Sequence, residues 1–159
     1  MTGLNLSKLF NKFVFQKVMV CLDGSDDSKL AFRYAVNKVR RVDYYQLILC
    51  SIMEIKHYGD TFHSTFDKLS SYDAYNKKEK LIDRLKRYKK IAEKAGVRHV
   101  KLIIDSGNPS EVIVKDIIPE VQPDLLVVGS RAKKGAKHHL GSQAAYITRY
   151  ANVPVMVVR

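Results

Sequence analysis

Only two cysteines, Cys21 and Cys50, occur in the chain, and they form neither a C-x-x-C motif nor a metal-ligand pair. That scarcity excludes a disulfide framework and suits a reduced, cytoplasmic chain whose thiols pack as small hydrophobes. Long apolar runs are missing as well: nothing approaches the roughly 18 residues of a membrane-spanning helix. The opening MTGLNLSKLFNKFVFQK has no compact apolar stretch and no small-residue cleavage site, so it does not read as a signal peptide. Residues 1–15 are expected to be an N-terminal extension, either a loose arm or a short amphipathic turn, ahead of one domain over 16–159. Catalytic signatures are absent too. There is no G-x-S-x-G elbow, no G-x-x-x-x-G-K-[ST] loop and no carboxylate pair that the pattern can place, so no enzyme is expected.

Basic residues are in excess. Lys and Arg number 28 against 16 Asp and Glu, a net charge of +12 with a pI near 9.7. Such a balance suits anionic partners. The positive residues are nevertheless spread over 77–94, 131–139 and several helix faces, with no helix-turn-helix, zinc finger or aromatic RNP pattern beside them. A solvated basic surface is the expectation, and nucleic acid is not an expected partner. With 46% hydrophobic and 28% charged residues, the chain belongs with globular proteins. Its 159 residues suffice for one sizeable core.

Apolar runs and helical periods alternate along the chain. Val18–Leu22 reads as a buried strand, stopped by Asp23-Gly24-Ser25. Ser25, Asp26 and Asp27 are natural helix starters, and Ala31, Ala35 and Val39 follow at helical spacing up to Arg40-Arg41. Gln46–Met53 is a second strand. From Glu54 to about Ser71 no period is clear, and a long loop is expected. A helix over about Tyr72–Ala95 uses Leu81, Leu85, Tyr88, Ala92 and Ala95, with Lys and Arg on its outer face and Gly96 closing it. His99–Asp105 is the third strand, Ser106–Ser110 a turn, and Glu111–Val121 a helix that Pro119 should stop or kink about one residue earlier. A fourth strand, a helix over Ser142–Tyr150 and a last strand over Val153–Val158 complete the series. This βα alternation predicts a mainly parallel sheet with helices on both faces.

The most informative stretch is DLLVVGSRAKKGAKHHLGSQAAYITRYA, from Asp124 to Ala151. A buried strand ends at Gly129-Ser130, a small basic loop follows, and Gly141-Ser142 opens a helix. Small residues let backbone approach an anion, and first-turn N–H groups point at it. An ordinary strand-to-helix connection needs small residues too, so both readings stand. Lys133, Lys134, Lys137, His138 and His139 could add charge for a phosphate or form a solvated loop. The adjacent histidines are not at ligand spacing, and no metal is expected.

These residues resemble the universal stress protein family, whose loop after strand four reads G-x2-G-x9-G-(S/T) before a helix and a Pro-Val-rich strand. Here Gly129-Ser130-Arg131, Gly141-Ser142 and 151–158, ANVPVMVV, carry the match. The chain departs from that pattern twice: Ala132 stands where the second glycine falls, and eight residues, Lys133 to Leu140, precede Gly141. The resemblance implies an open, Rossmann-like five-stranded sheet of order 3-2-1-4-5. It implies a nucleotide-responsive binding module in stress response, taking ATP or AMP, and a homodimer. The alternative is a branch that does not bind ATP and acts through protein partners.

With that order, the loops after strands one and four meet where the strand order reverses, the position at which open α/β sheets bind ligands. The resemblance places Asp23 by the ribose or phosphates, Ser25 as cap of the first helix, Ile52 in the adenine pocket, and Gly129, Arg131, Gly141 and Ser142 around the phosphates. Gly24 and Ser130 complete the expected set. Asp23 has a second reading, as a helix-start carboxylate that takes backbone N–H groups. The last strand, over residues 153–158, would form a sheet edge without bulge or inward charge, open to the same strand of a second subunit.

Overall fold

A computed structural model describes residues 15–55, 66–130 and 140–159, the side chains of 66–71 excepted. The strands are β1 (Lys17–Cys21), β2 (Gln46–Glu54), β3 (His99–Gly107), β4 (Leu125–Gly129) and β5 (Val155–Val158). They form one parallel sheet of order β3-β2-β1-β4-β5. Helix α1 (Asp26–Val39) follows β1, and α2 (Phe66–Lys94) follows β2. After β3 come α3 (Pro109–Val112), a π-helical stretch (Ile113–Ile117) and α4 (Ile118–Val121) without a break. Helix α5 (Ser142–Tyr150) precedes β5.

Why the central strands read as unbroken apolar runs is visible in their two faces. Successive side chains of a strand point to opposite sides. Val18, Val20, Leu47, Leu49, Leu125 and Val127 therefore pack into one core with Ala31, Ala35 and Val39 of α1 and Leu85 and Ala92 of α2. Met19, Ile48, Cys50, Leu126 and Val128 pack on the other side with Ile113, Ile117, Ile118, Val121, Ala144 and Ile147. Phe32 and Tyr88 join α1 to α2 edge-on, with ring centroids 4.7 Å apart.

Several element bounds differ from the sequence expectation. Helix α2 begins at Phe66, inside the stretch expected to be a loop. No Gly or Pro interrupts 66–94, so the helix runs through Ser70-Ser71 although the apolar period does not. Strand β3 continues to Gly107 because β2 extends beside it, pairing Met53 with Ser106 and Glu54 with Gly107. The following helix starts at Pro109, where a missing N–H costs nothing. Pro119 does not end that helix. The turn before it widens, Ile118 N–H bonding Ile113 O in a five-residue step, and this offsets the ring's clash with the preceding turn. Strand β5 starts at Val155 rather than Val153. Pro154 has no N–H to give, and only its carbonyl joins β4, accepting from Leu126 N at 2.9 Å. The expected extension at 1–14 and the expected loop over 56–65 lie outside the described residues.

Candidate functional site

Parallel strands carry their connections out at the carboxyl ends, and here β1, β2 and β4 open together onto one cavity of about 490 Å³. The strand order reverses between β1 and β4, which is where open α/β sheets gather ligands. Asp23 and Leu22 line the cavity from the end of β1, Ser51 and Ile52 from β2, and Gly129 from β4. Gly141 and Ser142 close it from the start of α5. Apolar walls come from Val128, Ile113 and Ile147.

The β1–α1 loop is held by its own polar side chains. Asp23 Oδ1 accepts from Ser25 N–H at 2.9 Å and from Ser25 Oγ at 2.6 Å. Ser25 Oγ in turn accepts Ser28 N–H at 3.1 Å, capping α1. Asp23 is thus both a helix-start carboxylate and a lining residue of the cavity. Gly24 turns the loop with φ +85°, a backbone that side chains rarely adopt.

On the β4 side, the small residues serve packing first. An added Cβ at Gly129 would lie 2.7 Å from the Asp27 carbonyl carbon and the Ser28 nitrogen, so the bare glycine lets β4 close on α1. Ser130 is buried, donates its hydroxyl to Asp27 Oδ2 at 2.6 Å, and bonds Val158 O through its N–H. Its carbonyl accepts Gly141 N–H at 2.9 Å, which joins the end of β4 to the residue before α5. Arg131, Ala132 and the basic residues up to His139 lie outside the described residues.

Gly141 is the N-cap of α5, and no side chain caps the helix among the described residues. The first N–H groups of a helix have no intrahelical partner, and those of α5 belong to residues that line the cavity. Gln143 reaches back to accept Ser110 N–H at 2.8 Å, fixing α5 against the start of α3.

Of the expected set, Asp23, Ile52, Gly129, Gly141 and Ser142 line one cavity. Gly24, Ser25 and Ser130 stand behind that wall, shaping the loops. Several polar lining residues lie outside the expected set, among them Ser51, Glu54, Arg84 and Gln143. Ser51 sits within an apolar strand run and gives its proton to Leu22 O at 2.5 Å. By composition Arg84 belongs with the basic outer face of the helix. Its position betrays it, three residues after Leu81 and four before Tyr88, on the buried stripe of α2.

The two thiols face each other across β1 and β2 in register. Hydrogen bonding with Cys50, followed by burial, pushes the Cys21 thiol well above its ordinary value. Among the described residues no group of three His, Cys, Asp or Glu side chains could hold a metal ion, and no helix is long and apolar enough to cross a membrane.

Comparison with known proteins agrees with this geometry. The sequence profile of the universal stress protein family matches residues 15–159. A putative universal stress protein of Staphylococcus saprophyticus is 28% identical over 149 residues, spanning 91% of this chain and 84% of that protein. Among solved structures, the universal stress protein UspA from Lactobacillus plantarum superposes with a TM-score of 0.75 at 21% identity, covering 91% of this chain and 98% of its own. A universal stress protein crystallised in complex with cAMP superposes with a TM-score of 0.61 at 25% identity, covering 92% and 98%.

Proposed function

The chain belongs to the universal stress protein family, and we propose that it is a nucleotide-responsive binding module that takes ATP or AMP in the crevice between β1 and β4. One observation carries the proposal: the ends of β1, β2 and β4 and the uncapped start of α5 converge on a single cavity at the reversal of strand order. A nucleotide's phosphate fits the α5 end, where N–H groups and the positive end of the helix dipole favour an anion. Ribose hydroxyls fit Asp23, and Ile52 offers an apolar wall to the base. The cAMP complex of a relative with the same fold supports a nucleotide over other small anions. We further propose that the module works by binding rather than by turnover, in the cytoplasm.

A second reading, action through protein partners without ATP, is favoured by the altered loop pattern, with Ala132 at the expected glycine and one residue fewer before Gly141. Purified protein should release purine-absorbing material on denaturation. Titration calorimetry with ATP and AMP on wild type, Asp23→Ala, Ser142→Ala and Ala132→Gly then separates the two readings. Binding that weakens in the first two variants and strengthens in the third supports the nucleotide site. No binding to wild type or to Ala132→Gly favours the partner reading.

A further inference from the structure

Two thiols stand side by side on the cavity wall, and the nucleotide reading uses neither. Cys21 ends β1 and pairs in register with Cys50 of β2. Both belong to the core that Ile113 and Val128 build, so their side chains leave the sheet on the same face. Both also line the cavity, Cys50 buried and Cys21 half-buried. Their side chains hydrogen bond to each other. No other cysteine occurs in the chain.

Neighbouring strands lie about 4.8 Å apart, inside the roughly 4.4–6.8 Å between Cα atoms that a disulfide spans. Because Cys21 is the last residue of β1, the chain beyond it can adjust as the sulfurs close. Forming the bond needs an oxidant, and the cavity gives a molecule as small as hydrogen peroxide a way in. One thiol, as thiolate, attacks a peroxide oxygen: an S–O bond forms, the O–O bond breaks, and hydroxide leaves to be protonated to water. The second thiol attacks that sulfenic sulfur, the S–S bond forms, the S–O bond breaks, and a second water leaves. The sulfurs give up two electrons, and the peroxide takes them. The hydrogen bond with Cys50 and burial both hold the Cys21 proton, which slows the first step. The second step is fast, because the resolving thiol is already in contact. A reducing thiol reverses the sequence by attacking the bridge, and the half-buried Cys21 leaves it a path.

We propose that Cys21 and Cys50 form a reversible oxidation site, which hydrogen peroxide converts to a disulfide in the crevice wall. The bond lies one residue before Leu22 and Ser51, both lining residues, and so ties the β1 and β2 sides of the cavity together. In a reducing compartment such a bond is transient, as redox-sensing disulfides are. Intact mass spectrometry tests it on the full chain, reduced and then exposed to hydrogen peroxide well below its melting temperature. Both thiols should disappear together, with a mass lower by two hydrogens and no second chain attached, and dithiothreitol should restore both. With two cysteines in the chain, that mass identifies the bond without any variant. Cys21→Ser and Cys50→Ser should each gain oxygen instead, since a sulfur without a partner climbs the oxidation ladder stepwise. Stepwise gain of oxygen in wild type, or a bridge between two chains, overturns the site. Thiols that survive peroxide able to consume those of the urea-unfolded chain overturn it equally. So does a rate that climbs with urea in step with the unfolded fraction, because the reaction then belongs to the open chain.

Discussion

Ser130 Oγ donates to Asp27 Oδ2 at 2.6 Å, joining positions 103 residues apart in sequence. The bond ties the end of β4 to the first turn of α1, the two segments that meet where the strand order reverses. Ser130 is 2% exposed, so its hydroxyl serves the scaffold rather than the cavity. In a residue chosen by its place in a phosphate-loop pattern, the chemistry present is a lock between two loops.

Removing that hydroxyl should cost stability more than affinity. Ser130→Ala removes a bond to the half-buried Asp27 carboxylate, a loss of about 1 kcal/mol. Urea denaturation should show a lower midpoint with an unchanged slope. Nucleotide affinity, measured below the transition, should change far less than in Ser142→Ala.

Gly129→Ala should be destabilising in its own right. Its Cβ would meet main-chain atoms of Asp27 and Ser28 at 2.7 Å, and backbone cannot swing aside as a long side chain can. Overpacking of this kind costs about 1–3 kcal/mol, and β4 must move off α1 to relieve it. A lowered melting temperature in the absence of ligand is the expected reading. A melt equal to that of wild type would mean that the contact relaxes freely.

Much of this was legible before any coordinates. Strands buried on both faces announce themselves as unbroken apolar runs, and Val18–Val20, Leu47–Cys50 and Leu125–Val128 do so. The turn Asp23-Gly24-Ser25 was equally plain, since the cap and the positive φ depend on local chemistry. Arg84 was hidden because composition treats arginine as surface. Only its spacing to Leu81 and Tyr88 places it on the packed face, and only the tertiary fold brings Ser51 to its guanidinium. The buried place of Ser130 is hidden for a related reason: a loop motif names small residues without saying which of them face the cavity. The widened turn before Pro119 depends on how a helix absorbs a missing N–H, which no local period encodes.

The thiol pair predicts a change of stability at alkaline pH. The folded state raises the Cys21 pKa, chiefly through its hydrogen bond with Cys50 and then through burial. An unfolded chain therefore releases this proton first, near the ordinary value of 9.0. The corresponding stability is full below that value and is lost as pH rises from there toward the folded pKa. Denaturation midpoints of wild type and Cys21→Ala should run parallel from pH 6 to about 8. Above about pH 9 the wild type should fall faster, given that only it carries the thiol. Parallel curves throughout would show that the two environments do not differ for this proton.

The free edge of the sheet predicts assembly. Strand β5 ends the order β3-β2-β1-β4-β5, so among the described residues it has a strand neighbour on one side only. The carbonyls of Pro154 and Val158 bond toward β4, accepting from Leu126 and Ser130. By alternation, the main-chain groups of Val155 and Val157 turn to the outer edge. An edge that no described residue pairs is a template, and a second copy related by a two-fold axis would satisfy both edges at once. Light scattering at micromolar concentration should therefore give the mass of a dimer. Met156, 40% exposed, offers the test of its location. A lysine there should oppose pairing through charge while leaving the core untouched, so Met156→Lys should shift the mass toward monomer without lowering the melting temperature of the isolated fold. A monomeric wild type would remove the edge-pairing interface, and a dimer indifferent to Met156→Lys would move it to another face.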